Sequence, residues 1–164
     1  HGAGNFALWP DKCFAYGARQ RLLGPQSGAM GYGLPAAIAA CVAHPERMVV
    51  CFAGDGDIQM NISELGTAVQ AGAKPLILVL NNGSYGTIRM HQEREYPGRV
   101  SGTSLVNPDF RGVAQAYGMM GIKVANTDEF AAAFDILAAA PHGGILELDI
   151  SLEAITPTKK LSEL

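Results

Sequence analysis

The sequence predicts an α/β domain, doubly wound, with a mainly parallel sheet carrying helices on both faces. Three observations lead there. Apolar runs of strand length, "RMVVCFA" (47–53), "PLILVL" (75–80) and "GGILELDI" (143–150), are separated by segments with helical spacing. These runs are continuous rather than alternating, the pattern of strands covered on both faces. Strand–helix–strand order persists along the chain, and that order builds parallel sheets.

Each element follows in turn. "GYGLPAAIAACVAH" (31–44) reads as a helix, with Pro35 tolerable in its first turn. After the strand at 47–53, "IQMNISELGTAVQAGA" (58–73) places Ile58, Ile62, Leu65 and Val69 at helical spacing. The strand at 75–80 leads through a further helix to the loop 93–106, long and polar, of the kind that serves as a lid or partner contact. In "NPDFRGVAQAYG" (107–118) Asn107 reads as the cap, Pro108 as the first helical residue and Gly118 as the stop. Asp109 and Arg111 read as dipole and surface charges. A short strand is expected at 122–125. A helix at 126–140 follows, with Asn126 and Glu129 forming a variant of the capping box. The last strand closes a domain of residues 1–152, and 153–164, with "TPTKKLSEL", is expected to be a flexible tail or a linker remnant.

At 164 residues the chain suits one domain with a full core. Hydrophobic residues make up 48% and charged residues 16%, ordinary for a soluble globular protein. A net charge of -3 without a basic stripe argues against nucleic acid. No apolar run approaches the roughly 18 residues that span a bilayer. Cys13, Cys41 and Cys51 have no C-x-x-C spacing. Cys41 and Cys51 lie in apolar surroundings and read as buried reduced thiols, so a cytoplasmic protein is expected. The chain opens mid-pattern at "HGAGNFALW", which suggests a piece of a longer enzyme or one subunit of a split one.

Two of the strands stop at oxygen-bearing side chains. "GDGD" (54–57) leaves one carboxyl end and "NNGSYG" (81–86) leaves the next. One helix and one strand fit between them, so Asp55 and Asn82 are expected to face each other across an exposed rim, where open α/β sheets bind ligands. A carboxylate, an amide oxygen and turn carbonyls are hard ligands suited to Mg²⁺. Gly54 and Gly56 let a phosphate approach the backbone, and the next helix offers its free N–H groups. The arrangement is a clamp for a metal-bridged diphosphate.

This arrangement resembles the thiamine diphosphate motif, in which GDG is followed at this interval by NN. "GDGDIQMNISELGTAVQAGAKPLILVLNN", "SGAMGYGLPAAIAA" (27–40) and "NPDF" (107–110) are similar to the C-terminal domain of acetolactate synthase and its relatives. The resemblance implies a thiamine diphosphate-binding fold holding that cofactor and Mg²⁺. It implies that Asp55, Asn82 and the Ser84 carbonyl ligate the metal. The backbone of Gly56 and Asp57, with Tyr85, Gly86 and Thr87, would hold the diphosphate, with Asn5 nearby. Gly28, flanked by Ala29, would accept from the cofactor's exocyclic amine. Met30 would sit beneath as a wedge, although a Met there can also be plain core. Ile88 and His91 would face the substrate channel, where the family carries a bulky aromatic at the His91 position; a solvated His91 is the other reading.

The implied activity is decarboxylation of a 2-oxo acid, with the resulting enamine protonated or ligated. The activating glutamate would come from the pyrimidine-binding domain of a neighbouring subunit, absent from this chain, so a homo-oligomer (dimer or tetramer) is expected and the isolated chain should be inactive. Two alternatives were weighed. "GYGLPA" (31–36) fits a dinucleotide fingerprint, with Asp55 about twenty residues on, as in an NAD(P)-dependent oxidoreductase. A cofactor-binding regulatory domain without turnover is the other. Of the remaining histidines, His44 and His142 read as exposed, and His1 as part of a truncated strand.

Overall fold

The computed structural model describes residues 1–164. The chain runs α1 (Leu8–Cys13), α2 (Gly33–Ala43), β1 (Val50–Gly54), α3 (Asp55–Ile58), α4 (Glu64–Ala71), β2 (Leu76–Asn81) and α5 (Gly86–Glu95). It continues through α6 (Phe110–Ala116), β3 (Met120–Val124), α7 (Thr127–Ala138) and β4 (Gly144–Asp149), and ends in a small hairpin of β5 (Ala154–Thr156) and β6 (Lys159–Lys160). Strands β1 to β4 form one parallel sheet in the order β1-β2-β4-β3. The predicted architecture is the one found.

The continuous apolar strands are explained by what covers them. Cys51, Ala53, Ile77, Val79 and Ile145 face α2, α4 and α6, whose Leu34, Ile38, Leu65, Ala68, Phe110 and Ala114 complete one core. The alternate residues Leu76, Leu78 and Leu146 face α7, where Ala133 and Leu137 close a second core. Alternation of side chains across a strand sends successive residues into opposite cores, so nearly every position is apolar, with buried Glu147 of β4 an exception. Cys41 and Cys51 are buried free thiols and Cys13 is an exposed one; burial pushes the Cys51 thiol up to about 12. No helix is long and apolar enough to cross a membrane.

Several expectations are corrected. The first strand begins at Val50 rather than residue 47, and Met48 is exposed. The helix expected over 58–73 is two pieces, α3 and α4, with turns between. Polar side chains there bond backbone instead: the Gln59 amide donates to the Asp55 carbonyl (3.1 Å) and that of Asn61 to the Gly31 carbonyl (3.0 Å). The break shifts the helical phase, so Ala68 is buried and Val69 is 47% exposed. Helix α6 begins at Phe110 with Asp109, not Asn107, before it; Gly118, at φ 72°, stops the chain as expected. Asp109 and Arg111 pair at 3.4 Å on the surface. Asn126 bonds the Glu129 carboxylate (3.1 Å) and not the helix backbone, so no capping box forms. β3 starts at Met120, two residues early. His1 lies in no strand; its neighbour Gly2 donates to the Phe52 carbonyl at 3.1 Å. The segment after 152 is not a loose tail: it folds back as the β5–β6 hairpin and buries Ile155.

Candidate functional site

The parallel register sets Gly54 against Leu80, so the chain leaves β1 and β2 side by side at one edge of the sheet. "GDGD" becomes α3, and "NNGSYG" turns into α5. The N-terminal segment 1–7 crosses above them, and the segment around Gly28 to Gly31 closes the side. Between these pieces lies a cavity of about 690 Å³, a size ordinary for a cofactor pocket.

Of the residues expected at the site, Asn5, Gly28, Met30, Gly54, Asp55, Gly56, Asp57, Asn82, Ser84, Tyr85, Gly86 and Thr87 all line this cavity. Ala29 is exposed beside it and outside the lining. His91 does not join it: the ring is exposed on α5, with Nδ1 3.0 Å from the Arg94 guanidinium. Ile88, one turn earlier, does line it. Sequence reasoning missed the apolar walls supplied by Phe6, Trp9, Phe52, Leu80, Ile150 and Ile155. Only chain reversal brings Ile155 there, and no local pattern signals it.

The expected exposed rim is in fact covered. Asp55 and Asp57 are each 3% exposed. Burial pushes both carboxyls up from the usual carboxylate range. For Asp55 the Asn107 amide and nearby backbone N–H groups pull partly back; for Asp57 the N–H groups of Gly31 and Ala3 do so. Neither carboxylate pairs with a basic side chain. Asp57 Oδ1 accepts from the N–H of Ala3 (3.1 Å) and of Gly31 (2.9 Å), and Oδ2 is buried with no partner. Its side chain thus ties two segments of the cavity wall to the end of β1.

Asn82 Oδ1 accepts from the Ser84 N–H (3.0 Å), curling the turn, and both residues line the cavity with Asp55. Gly56 lies under the Tyr85 ring, where a Cβ would come within 2.5 Å of Cε1, so only glycine allows this approach. Asn5 is held by its own N–H donating to Thr87 Oγ1 (2.9 Å). Gly28, at φ 67°, has a carbonyl that accepts no backbone hydrogen bond.

The loop expected to be a lid is partly stitched down. Tyr85 N–H donates to the Thr103 carbonyl and Leu105 N–H to the Gly83 carbonyl, both 2.9 Å, and Ser84 Oγ donates to Thr103 at 3.0 Å. This strap ends at Asn107, a site residue that sequence reasoning assigned to helix capping. Asn107 Nδ2 instead donates to Asp55 Oδ2 (2.7 Å) and Asn81 Oδ1 (2.9 Å).

The dinucleotide alternative fails on this geometry. No strand runs into "GYGLPA"; the residues before α2 are turns. The space a pyrophosphate would need beside Gly33 is filled by the N-terminal segment: a Cβ at Gly33 would stand 2.7 Å from the Gly2 nitrogen.

Comparison with known proteins shows the family. Residues 2–149 match the model of the thiamine pyrophosphate enzyme C-terminal TPP binding domain. The acetolactate synthase large subunit of Haemophilus influenzae is 49% identical over 104 residues, 63% of this chain and 18% of its own length. The mitochondrial acetolactate synthase catalytic subunit of Saccharomyces cerevisiae is 41% identical over 123 residues, 75% of this chain and 18% of its own. Among solved structures, benzoylformate decarboxylase from Polynucleobacter necessarius superposes with a TM-score of 0.71 at 28% identity, covering 79% of this chain and 25% of that one. This chain therefore spans under a fifth of the two synthases. With the buried acids, the paired strand ends and a family model covering nearly all of its length, the chain belongs to the C-terminal TPP-binding domain family of the thiamine pyrophosphate enzymes.

Proposed function

We propose that this domain holds thiamine diphosphate through Mg²⁺ in an enzyme that decarboxylates a 2-oxo acid and protonates the remaining fragment or joins it to a second carbonyl compound. One observation carries the reading. Asp55 is a buried carboxylate with no basic side-chain partner that lines a cofactor-sized cavity together with Asn82 and Ser84. Isolated buried charge is costly, and a bound divalent cation removes that cost. A carboxylate oxygen, an amide oxygen and a peptide carbonyl make a hard donor set with room for water and phosphate oxygens, which fits Mg²⁺.

The other residues supply binding and posture. The N–H groups of Thr87 and Ile88, in the first turn of α5, bond no carbonyl and suit a diphosphate. The free Gly28 carbonyl would accept from the cofactor's amine, and Met30, which also lines the cavity, would support the cofactor. Phe6, Trp9, Ile88 and Ile155 keep the reacting region apolar. When bound, the cofactor would supply a nucleophilic carbon that adds to the 2-oxo group and a cationic ring that draws in the electron pair left behind by CO₂. The pyrimidine-binding domain, with an activating carboxylate, comes from a neighbouring subunit in a homo-oligomer.

Calorimetric titration of the assembled enzyme with thiamine diphosphate, with and without Mg²⁺, tests the reading, with NAD as control. Saturable binding that requires the cation is expected. Binding of NAD, or thiamine diphosphate binding indifferent to divalent cations, overturns it.

A further inference from the structure

Asp55 is held by an amide chain whose orientation is set by backbone. The Gly83 N–H can only donate, and it donates to Asn81 Oδ1 at 3.1 Å. The Asn107 group facing that same oxygen, at 2.9 Å, must therefore be its NH₂, and this NH₂ also donates to Asp55 Oδ2 at 2.7 Å. Asn107 Oδ1, on the other side, accepts from Gln59 Nε2 at 3.0 Å. Asn81 Nδ2 donates in turn to Glu147 Oε1 (2.8 Å), a carboxylate 2% exposed that Lys123 Nζ also meets at 2.9 Å. The chain of contacts runs from the sheet to one oxygen of Asp55. No side chain bonds the other oxygen, Oδ1.

We infer that Asn107 is a positioning residue that reserves Oδ2 of Asp55, restricts this carboxylate to coordination through Oδ1, and so favours Mg²⁺ over Ca²⁺. The inference rests on the metal reading above. Mg²⁺ demands a compact octahedron of single oxygens, whereas Ca²⁺ accepts more ligands and carboxylates through both oxygens. With Oδ2 engaged by an amide at hydrogen-bond distance, two-oxygen coordination requires breaking that bond. Because Asn107 ends the 103–107 strap, the restriction also depends on the strap staying docked along Gly83 to Tyr85.

The test titrates the assembled enzyme, in the presence of excess thiamine diphosphate, with Mg²⁺ and separately with Ca²⁺ in a calorimeter. In Asn107→Ala, Mg²⁺ affinity is expected to fall by about 10- to 100-fold, as for removal of an outer partner of a metal ligand. Ca²⁺ affinity falls less, so the preference moves toward Ca²⁺. A merely structural role lowers both together, and an unchanged ratio overturns the inference. Should Asn107→Ala not fold, Gln59→Ala takes its place: Gln59 is exposed, and its loss frees the Asn107 amide. The same shift in smaller measure is expected there, and an unchanged ratio again overturns the inference. Asp55→Ala separates the two claims. If it still binds Mg²⁺, the metal reading falls and the inference with it. If it loses Mg²⁺ while Asn107→Ala keeps the ratio, only the inference falls.

Discussion

In the middle of the sheet, Leu76 to Val79 of β2 are buried in hydrocarbon on both faces. At the carboxyl ends of β1 and β2 the same depth of burial holds Asp55, Asp57 and Ser84. The middle uses burial to stabilise: each apolar side chain removed from water contributes on the order of 1.5–3 kcal/mol. The carboxyl ends instead bury carboxyl groups that no basic side chain pairs, and burial raises the pKa of both acids. Within the ends, the two acids differ as well. Asp57 is spent internally, tying Ala3 and Gly31 to the strand end, while at Asp55, which lines the cavity, a side chain bonds Oδ2 and none bonds Oδ1.

The largest expected effect breaks the comparison at the ends. Asp55→Ala and Asn82→Ala should each abolish Mg²⁺-dependent thiamine diphosphate binding without lowering the stability of the cofactor-free protein by more than an ordinary surface change. Titration calorimetry paired with thermal melts checks both, and a mutant that still binds cofactor with unaltered affinity would remove that residue from the metal site. The next effect belongs to the middle. Leu137→Ala, under β4 and fully buried, should cost about 2–5 kcal/mol in denaturant unfolding. Its cofactor affinity should change little, because α7 packs chiefly on β3 and β4, whereas the site-bearing loops leave β1 and β2.

Met30→Ala probes the cavity wall. It should lower kcat in the assembled enzyme by on the order of 10²-fold, since a misplacement of about 1 Å costs that much, while cofactor affinity falls far less. Equal losses in both would make Met30 a general packing residue. A smaller effect is expected from Asp57→Asn, which keeps an oxygen for the Ala3 and Gly31 N–H groups and removes a buried charge. The folded-state pKa of Asp57 is raised, chiefly by burial. Its ionised form therefore costs stability above that raised value, and the cost disappears as pH falls below the ordinary carboxylate range. The melting temperature of the cofactor-free variant should rise at neutral pH by on the order of 2–4 °C, with the gain lost near pH 3–4. A melting temperature below wild type at pH 7 would show that the charge itself holds the wall. Smallest of all is His91→Phe. Since His91 is exposed and outside the cavity, relative kcat/KM values across a panel of 2-oxo acids should stay as they are; a reordered panel would return His91 to the substrate channel.

The four strands, the helices on both faces and the pairing of "GDGD" with "NNGSYG" were legible because they rest on local periodicity and on chain direction. Apolar runs record two-sided burial, and a parallel crossover brings consecutive strand ends to one edge. The same reasoning misjudged residues whose side chains bond across long sequence distances. Asn107 reads as a cap from Pro108 after it and the stop at Gly118, yet its side-chain partners include Asp55 and Asn81. Val69 was placed in the core by a spacing that the turns at 59–63 interrupt.

What the sequence by itself determined is the fold class, the two strand ends and the chemical type of their side chains, because each is written in a run of contiguous residues. What only the tertiary structure decided is the state of those groups: that Asp55 is buried rather than on an open rim, that one of its oxygens is occupied, that Asp57 turns inward, and that Ile155 returns to wall the cavity. Those outcomes depend on which distant segments come to rest over the rim, and hydrogen bonds and burial between residues tens of positions apart leave no periodic trace in the chain.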